Sequence, residues 1–179
     1  GDIKRAIRLQ YGNQPIEAIK EWDEILAQVP EYADGYFRRA QNYVLLTENQ
    51  RYLEEYRGYM QSALADLNQA IALNPNHGNY LLGRSNVYEA LAGLEDLSRA
   101  NRDVLFQAAL NDLERSLVLG NTEGGSPRVV PVYKATLGRC EEALKETQQL
   151  QNTWGDAREY PAYMQYALSL SYLCKGELN

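Results

Sequence analysis

One phrase recurs along this chain and limits what it can fold into. In its clearest copy, Ala63, Leu67, Ala70 and Pro75 follow one another at spacings of four, three and five residues. The first two spacings put three side chains on one narrow stripe of a helix. Small residues on that stripe let another helix approach closely. Pro75, behind Asn74, ends the helix because it has no amide hydrogen to donate. The same offsets occur at Ala18, Trp22 and Ile25 before Pro30, and at Ala109, Leu113 and Ser116 before Asn121. A phrase repeated in phase is an internal repeat, and repeats imply stacked supersecondary units.

A second phrase follows each stop. After Pro30 come Tyr36, Ala40 and Tyr43; after Pro75 come Tyr80, Ser85 and Tyr88; near the end come Leu168-Ser169, Tyr172 and Gly176. Together the two phrases resemble the first and second helices of the tetratricopeptide repeat. The resemblance implies an all-α fold, a right-handed α-solenoid of antiparallel helix-turn-helix units. It covers nearly the whole chain as one solenoid over 1–179, with units at about 3–31, 32–77, 78–122 and 123–156 and a partial unit at 157–179.

The spacing also departs from the family. Pro30 to Pro75 is 45 residues and Pro75 to Asn121 is 46, against about 34 in the family unit. The extra residues read as helix, with Tyr52, Tyr56, Tyr59 and Ala63 continuing the stripe at four, three and four. Shared between two helices, they would lengthen each by about one and a half turns. Two lengthened hairpins are therefore expected, with a tip turn at or after Gly93. The tyrosine stripe reads as interior packing, with a ligand-stacking face as the alternative. Gly120 to Pro127 is dense in turn-forming residues and is expected to be a loop and a hinge. Beyond it, Pro127 and Pro131 leave little room for a full first helix. Arg128, Lys134 and Arg139 read as a solvated basic edge, with contact to an anion or acidic peptide as the alternative. Gly138 and Gly176 occupy turn positions.

The chemistry of the chain is sparse. Cys140 and Cys174 lie far apart without a Cys-x-x-Cys spacing and are expected to be buried thiols. The single His77, between Pro75 and Gly78, reads as a turn residue. No nucleophile motif, phosphate-binding glycine loop or metal-ligand cluster occurs, so no enzyme activity, cofactor or metal is expected. A net charge of −6 and a pI near 4.9 argue against nucleic acid as the main partner. No uncharged run approaches the ~18 residues of a membrane span. The start, Gly1 to Arg5, has no apolar segment of a signal peptide, and the expected setting is soluble and cytoplasmic, with a membrane or secreted parent left open.

The resemblance implies a function and a face. In the family, first helices line a concave groove that holds a peptide or helix of a partner protein. Carried over, the groove positions are Asp34, Phe37, Arg38 and Gln41, then Asn79, Leu82, Gly83, Asn86 and Glu89, then Tyr163, Tyr166 and Leu170. Phe37, Arg38, Gln41, Asn79, Leu82, Asn86 and Tyr166 are the expected peptide-binding set. Some family members hold a terminal carboxylate with lysines and asparagines. Phe37 and Gln41 stand where the first lysine and asparagine would be, so that clamp is absent. The alternative is a structural module that self-associates, possible as a homo-oligomer. Residues 161–174 carry no charge, and Tyr163, Tyr166, Leu170 and Leu173 are expected to be covered by a further repeat of a longer parent or by a second copy.

Overall fold

In the computed structural model, residues 1–48, 53–94, 96–121, 126–154 and 162–176 are described. Among them are nine helices and no strand: α1 (Ile3–Tyr11), α2 (Pro15–Gln28), α3 (Ala33–Thr47), α4 (Leu53–Leu73), α5 (Gly78–Ala92), α6 (Arg99–Val118), α7 (Ser126–Thr136), α8 (Cys140–Trp154) and α9 (Ala162–Lys175). Each helix packs on the next in the chain, and α3 also touches α5 while α7 touches α9. That contact pattern is an all-α solenoid of helix pairs. Local chemistry sets several boundaries. Asp2 accepts from the Lys4 amide to start α1, Pro15 opens α2 where no amide donor is needed, and Ser98 caps α6. Gly120, Gly138 and Gly176, at φ of 82°, 77° and 73°, follow the ends of α6, α7 and α9, a conformation that costs glycine least.

The repeated stripe is the core. Ala18, Ala63, Ala109 and Ala143, each in the second helix of a pair, are fully buried. Facing them are the small residues of the first helices, Ala6, Ala40, Ser85 and Ala135, all buried. Around Ala40 and Ala63 gather Met60, Leu67, Val87, Leu91 and Leu94. Ala109, Leu110 and Leu113 of α6 share a cluster with Val130 and Tyr133 of α7. That core runs from one side of the expected hinge to the other; residues 122–125 themselves lie outside the described residues.

Both helices of the middle pairs are long. Helices α4 and α6 have 21 and 20 residues against 14 in α2 and 15 in α8, and α3 and α5 have 15 each against 9 in α1 and 11 in α7. Gly93 ends α5, and Leu94 then folds back into the core. Tyr56 packs on that core and Tyr59 stacks on Tyr43 at 6.5 Å; Tyr52 lies outside the described residues. An Arg57–Asp96 ion pair ties the foot of α4 to the turn after α5.

Four expectations need correction. A helix of 11 residues does form at α7, because Pro127 lies in its first turn and only Pro131 removes an interior hydrogen bond. Lys134 is no solvated edge: it is buried and paired with Glu114 and Glu146. In α9 the buried small residues are Ala167 and Ser171, while Ser169 faces solvent, so the repeat register there is shifted by two. Finally, Cys140 and Cys174 form a disulfide, with Cα atoms 5.6 Å apart. Antiparallel packing brings the start of α8 to the end of α9, which no local cysteine spacing reveals.

An ionic clamp accompanies the apolar stripe. The residue before each small residue of a first helix is a cation: Arg5, Arg39, Arg84 and Lys134. Three residues after each buried alanine of the second helix stands an acid: Glu21, Asp66, Asp112 and Glu146. Each cation pairs with the acid of its own pair. Arg39 grips both oxygens of Asp66 at 2.8 and 2.6 Å and reaches Asp23 at 2.7 Å. Arg84 does the same with Asp112, at 2.6 and 2.8 Å, and with Asn68 at 2.8 Å. Lys134 reaches Glu114 at 2.9 Å. The second acceptor of Arg39, Arg84 and Lys134 lies two residues past the preceding pair's acid, so one cation joins three helices.

Removing a buried partner leaves the other charge without compensation. Arg84→Ala should therefore cost about 3 kcal/mol, because Asp112 stays buried, whereas Arg139→Ala, which breaks an exposed pair with Glu142, should cost less than about 1 kcal/mol. Urea unfolding followed by circular dichroism checks this, and equal small losses would refute the clamp.

Neighbouring Tyr133 and Lys134 give α7 a pH dependence. Burial, reinforced by the Glu89 carboxylate, raises the Tyr133 phenol above its ordinary 10.0. Burial alone would lower Lys134, but hydrogen bonds to Glu146 and Glu114 outweigh it and raise the ammonium above 10.5. The fold favours the protonated form of both groups, so their stabilisation is complete below those ordinary values and is lost as pH rises past them. Melting temperature should fall from about pH 10 upward, and less steeply in Tyr133→Phe. Identical slopes would remove Tyr133 from the account.

Candidate functional site

Helices α3 and α5 lie side by side, with α1 at one edge and α4 beneath. Between them opens a groove of about 560 Å³. Its floor is apolar: Ala40, Val44, Met60, Leu67 and Val87 line it, with Phe37 and Leu82 at its walls. Phe37 packs on Tyr80 at 4.9 Å between ring centres. Gly83 also faces the groove, where a Cβ would lie 3.1 Å from Leu67 and 3.2 Å from Phe37. The missing side chain lets Leu67 and Phe37 pack directly against the α5 backbone.

Among the described residues the polar lining consists of four amides, Gln10, Gln41, Asn79 and Asn86, and no ionisable residue. Gln10 donates to Gln41 at 3.0 Å, while the Oε1 of Gln10 is buried and has no hydrogen-bond partner. Asn79 accepts from Asn121 at 2.8 Å, and Asn86 is exposed. An amide side chain can donate and accept at once, as an extended peptide backbone does. An unsatisfied buried acceptor leaves one such bond available.

Of the seven residues expected to contact a peptide, Phe37, Gln41, Asn79, Leu82 and Asn86 line this groove. Arg38 does not. Its guanidinium is 2.7 Å from Asp34, and that hydrogen bond holds it protonated against the effect of burial. Tyr166 stands on α9, 57% exposed and outside the groove lining. Of the other positions carried over, Gly83 lines the groove, Asp34 is taken up by Arg38, and Glu89 faces Tyr133. Leu170 is half-buried on α9, Leu173 is 55% exposed, and the side chain of Tyr163 lies outside the described residues. Sequence reasoning missed Gln10, which enters from the last turn of α1. Its signal would have been a polar residue on the face of α1 that runs parallel to Gln41.

Among the described residues no group of three His, Cys, Asp or Glu side chains could hold a metal, and no helix is long and apolar enough to cross a membrane. His77 stacks on Tyr80 at 3.8 Å in the turn before α5.

No family model matches the chain, and no curated protein does. Solved structures do match. The crystal structure of TTC0263, described as a thermophilic TPR protein in Thermus thermophilus, is 21% identical, with a TM-score of 0.60 over 94% of this chain and 78% of that one. Two crystal structures of MamA are 13% and 12% identical, both with a TM-score of 0.69, and cover 99% and 96% of this chain and 86% and 79% of theirs. The fold is that of a tetratricopeptide-repeat solenoid. In a tetratricopeptide-repeat frame, α1, α3 and α5 are first helices, so the groove described above lies on the first-helix face.

Proposed function

We propose that the chain is a non-catalytic interaction scaffold that holds an uncharged, extended internal segment of a partner protein in the groove between α3 and α5. The observation that carries this reading is the lining itself, an apolar floor edged by four amides with one buried acceptor unpaired. Apolar side chains of the segment would lie over Phe37 and Leu67 beside Gly83, and its main chain would bond Gln41 and Asn86. Because no cation lines the groove among the described residues, a terminal carboxylate gains nothing from them.

Selection of random peptides displayed within a carrier protein, with neither end free, provides ligands for the test. Selected segments should be uncharged where they meet the groove. Gly83→Leu, with folding checked by circular dichroism, should weaken them at least about tenfold, and Gln41→Ala/Asn86→Ala by about 1–3 kcal/mol, whereas Arg38→Ala should change little. Peptides that bind Gly83→Leu as well as the parent chain would overturn the groove assignment.

A second reading is favoured by a different surface. Tyr166 and Leu173 of α9 are 57% and 55% exposed, and Leu170 stands between them on the same helix. Under this reading two copies join through that face. Sedimentation velocity should then show a concentration-dependent dimer that Tyr166→Ser/Leu173→Ser abolishes. A chain that stays monomeric up to ~100 μM, where a weak but specific contact would populate, excludes it.

A further inference from the structure

Helix α9 is fastened to the solenoid differently from every first helix before it. In α1, α3, α5 and α7, a cation precedes the buried small residue and pairs with an acid across the helix pair. In α9 the buried small residue is Ala167, and the residue before it is Tyr166, which is exposed. The acceptor that should face it, two residues past Glu146, is Gln148, and it too is exposed. The ionic clamp is therefore missing where α9 meets α8. Among the described side chains, α9 buries fully only Ala167 and Ser171, whose hydroxyl donates to the Ala167 carbonyl, while Leu168, Leu170 and Tyr172 are half-buried. Two ties lie at the C-terminal end of the helix. Lys175 reaches Glu141 at 3.1 Å, but that carboxylate is 80% exposed and the pair is weak. The other tie is the Cys140–Cys174 disulfide.

We propose that this disulfide is a redox-sensitive staple that decides whether α9 is docked. A dithiol reductant of the thioredoxin type would open it by exchange. One reductant thiolate attacks a sulfur of the pair, a mixed disulfide forms, and the second reductant thiol resolves it. Two electrons and two protons pass to the protein, which gains two thiols while the reductant becomes a disulfide. Both cysteines are half-buried rather than sealed in the core, and Cys140 is the first residue of α8, where free helix amides favour a thiolate. In an oxidising compartment α9 is stapled; in a reducing one it is held by non-covalent packing of Ala167, Ser171 and half-buried Leu168, Leu170 and Tyr172, with a surface ion pair. Reduction thus uncovers the faces of α7 and α8 that α9 covers, while α1 to α6, held by their own clamps, stay folded.

Hydrogen exchange read by mass spectrometry tests this on the full chain in three states: oxidised, reduced with dithiothreitol, and as the Cys140→Ser/Cys174→Ser variant. The oxidised chain should contain no alkylatable thiol, and the reduced chain two. Amides of 165–174 should exchange at least about 100-fold faster after reduction and equally fast in the serine variant, with α3 to α6 unchanged. Three results would overturn the proposal: two free thiols after mild oxidation, unchanged protection of α9 in the fully reduced chain, or loss of protection throughout the solenoid.

Discussion

The structure depends on a charge that the fold takes out of water and then satisfies. Burying a guanidinium is costly unless nearly all its donors are used, and a fork-shaped cation facing a carboxylate side-on meets that condition. Arg39 and Arg84 do so twice over, with two bonds to the acid of their own pair and one to the pair before. Only one rotation of each first helix, and one sliding position against two second helices, completes all three bonds. Apolar packing of alanine on alanine tolerates small slips; the clamp does not. The stripe therefore supplies the driving force for stacking, and the clamp supplies its register.

The same geometry explains why the groove lies where it does. Residues two positions either side of a clamp cation are rotated about 200° from it on a helix, and so face the other way. Around Arg39 these are Phe37 and Gln41, and around Arg84 they are Leu82 and Asn86, in each case one apolar wall and one amide. Around Lys134 they are Val132 and Thr136, whose hydroxyl bonds the Val132 carbonyl, and around Arg5 they are Ile3 and Ile7. The pairing of a wall with an amide belongs to α3 and α5, the first helices of the two lengthened pairs.

Much of this was legible in the sequence, because a repeat shows each structural demand several times. Ala63, Ala70 and Pro75 announce a helix, its buried face and its end, and the copies at Ala18 and Ala109 confirm the phase. The acids were written in the same phrases, three residues past each alanine, but they look like any polar residue of an exposed face. Only their pairing with Arg39 and Arg84, 27 and 28 residues away, reveals them. Features that depend on three dimensions alone were not legible. Cys140 and Cys174 meet because two helices are antiparallel, and Gln10 reaches the groove because α1 lies beside α3. At α7 two prolines suggest a broken helix, yet one of them lies in the first turn, where proline costs a helix little. Serial order misled at α9, where Ser169 fits the phrase but Ala167 fits the packing.

The register shift at α9 joins these threads. A first helix with a clamp is positioned by its cation, so the small residue next to that cation must be the buried one. With Tyr166 in place of the cation, no such clamp fixes the rotation of α9, and the packing of Ala167 and Ser171 sets it together with the ties at its end. The disulfide lies at Cys174, three and seven residues on from Ser171 and Ala167, which places all three on adjoining faces of one helix. A covalent tie there fixes the same rotation that the ionic clamp fixes elsewhere. The molecule meets one requirement, the orientation of each first helix, with charge at α1, α3, α5 and α7 and with a bond between two sulfurs at α9.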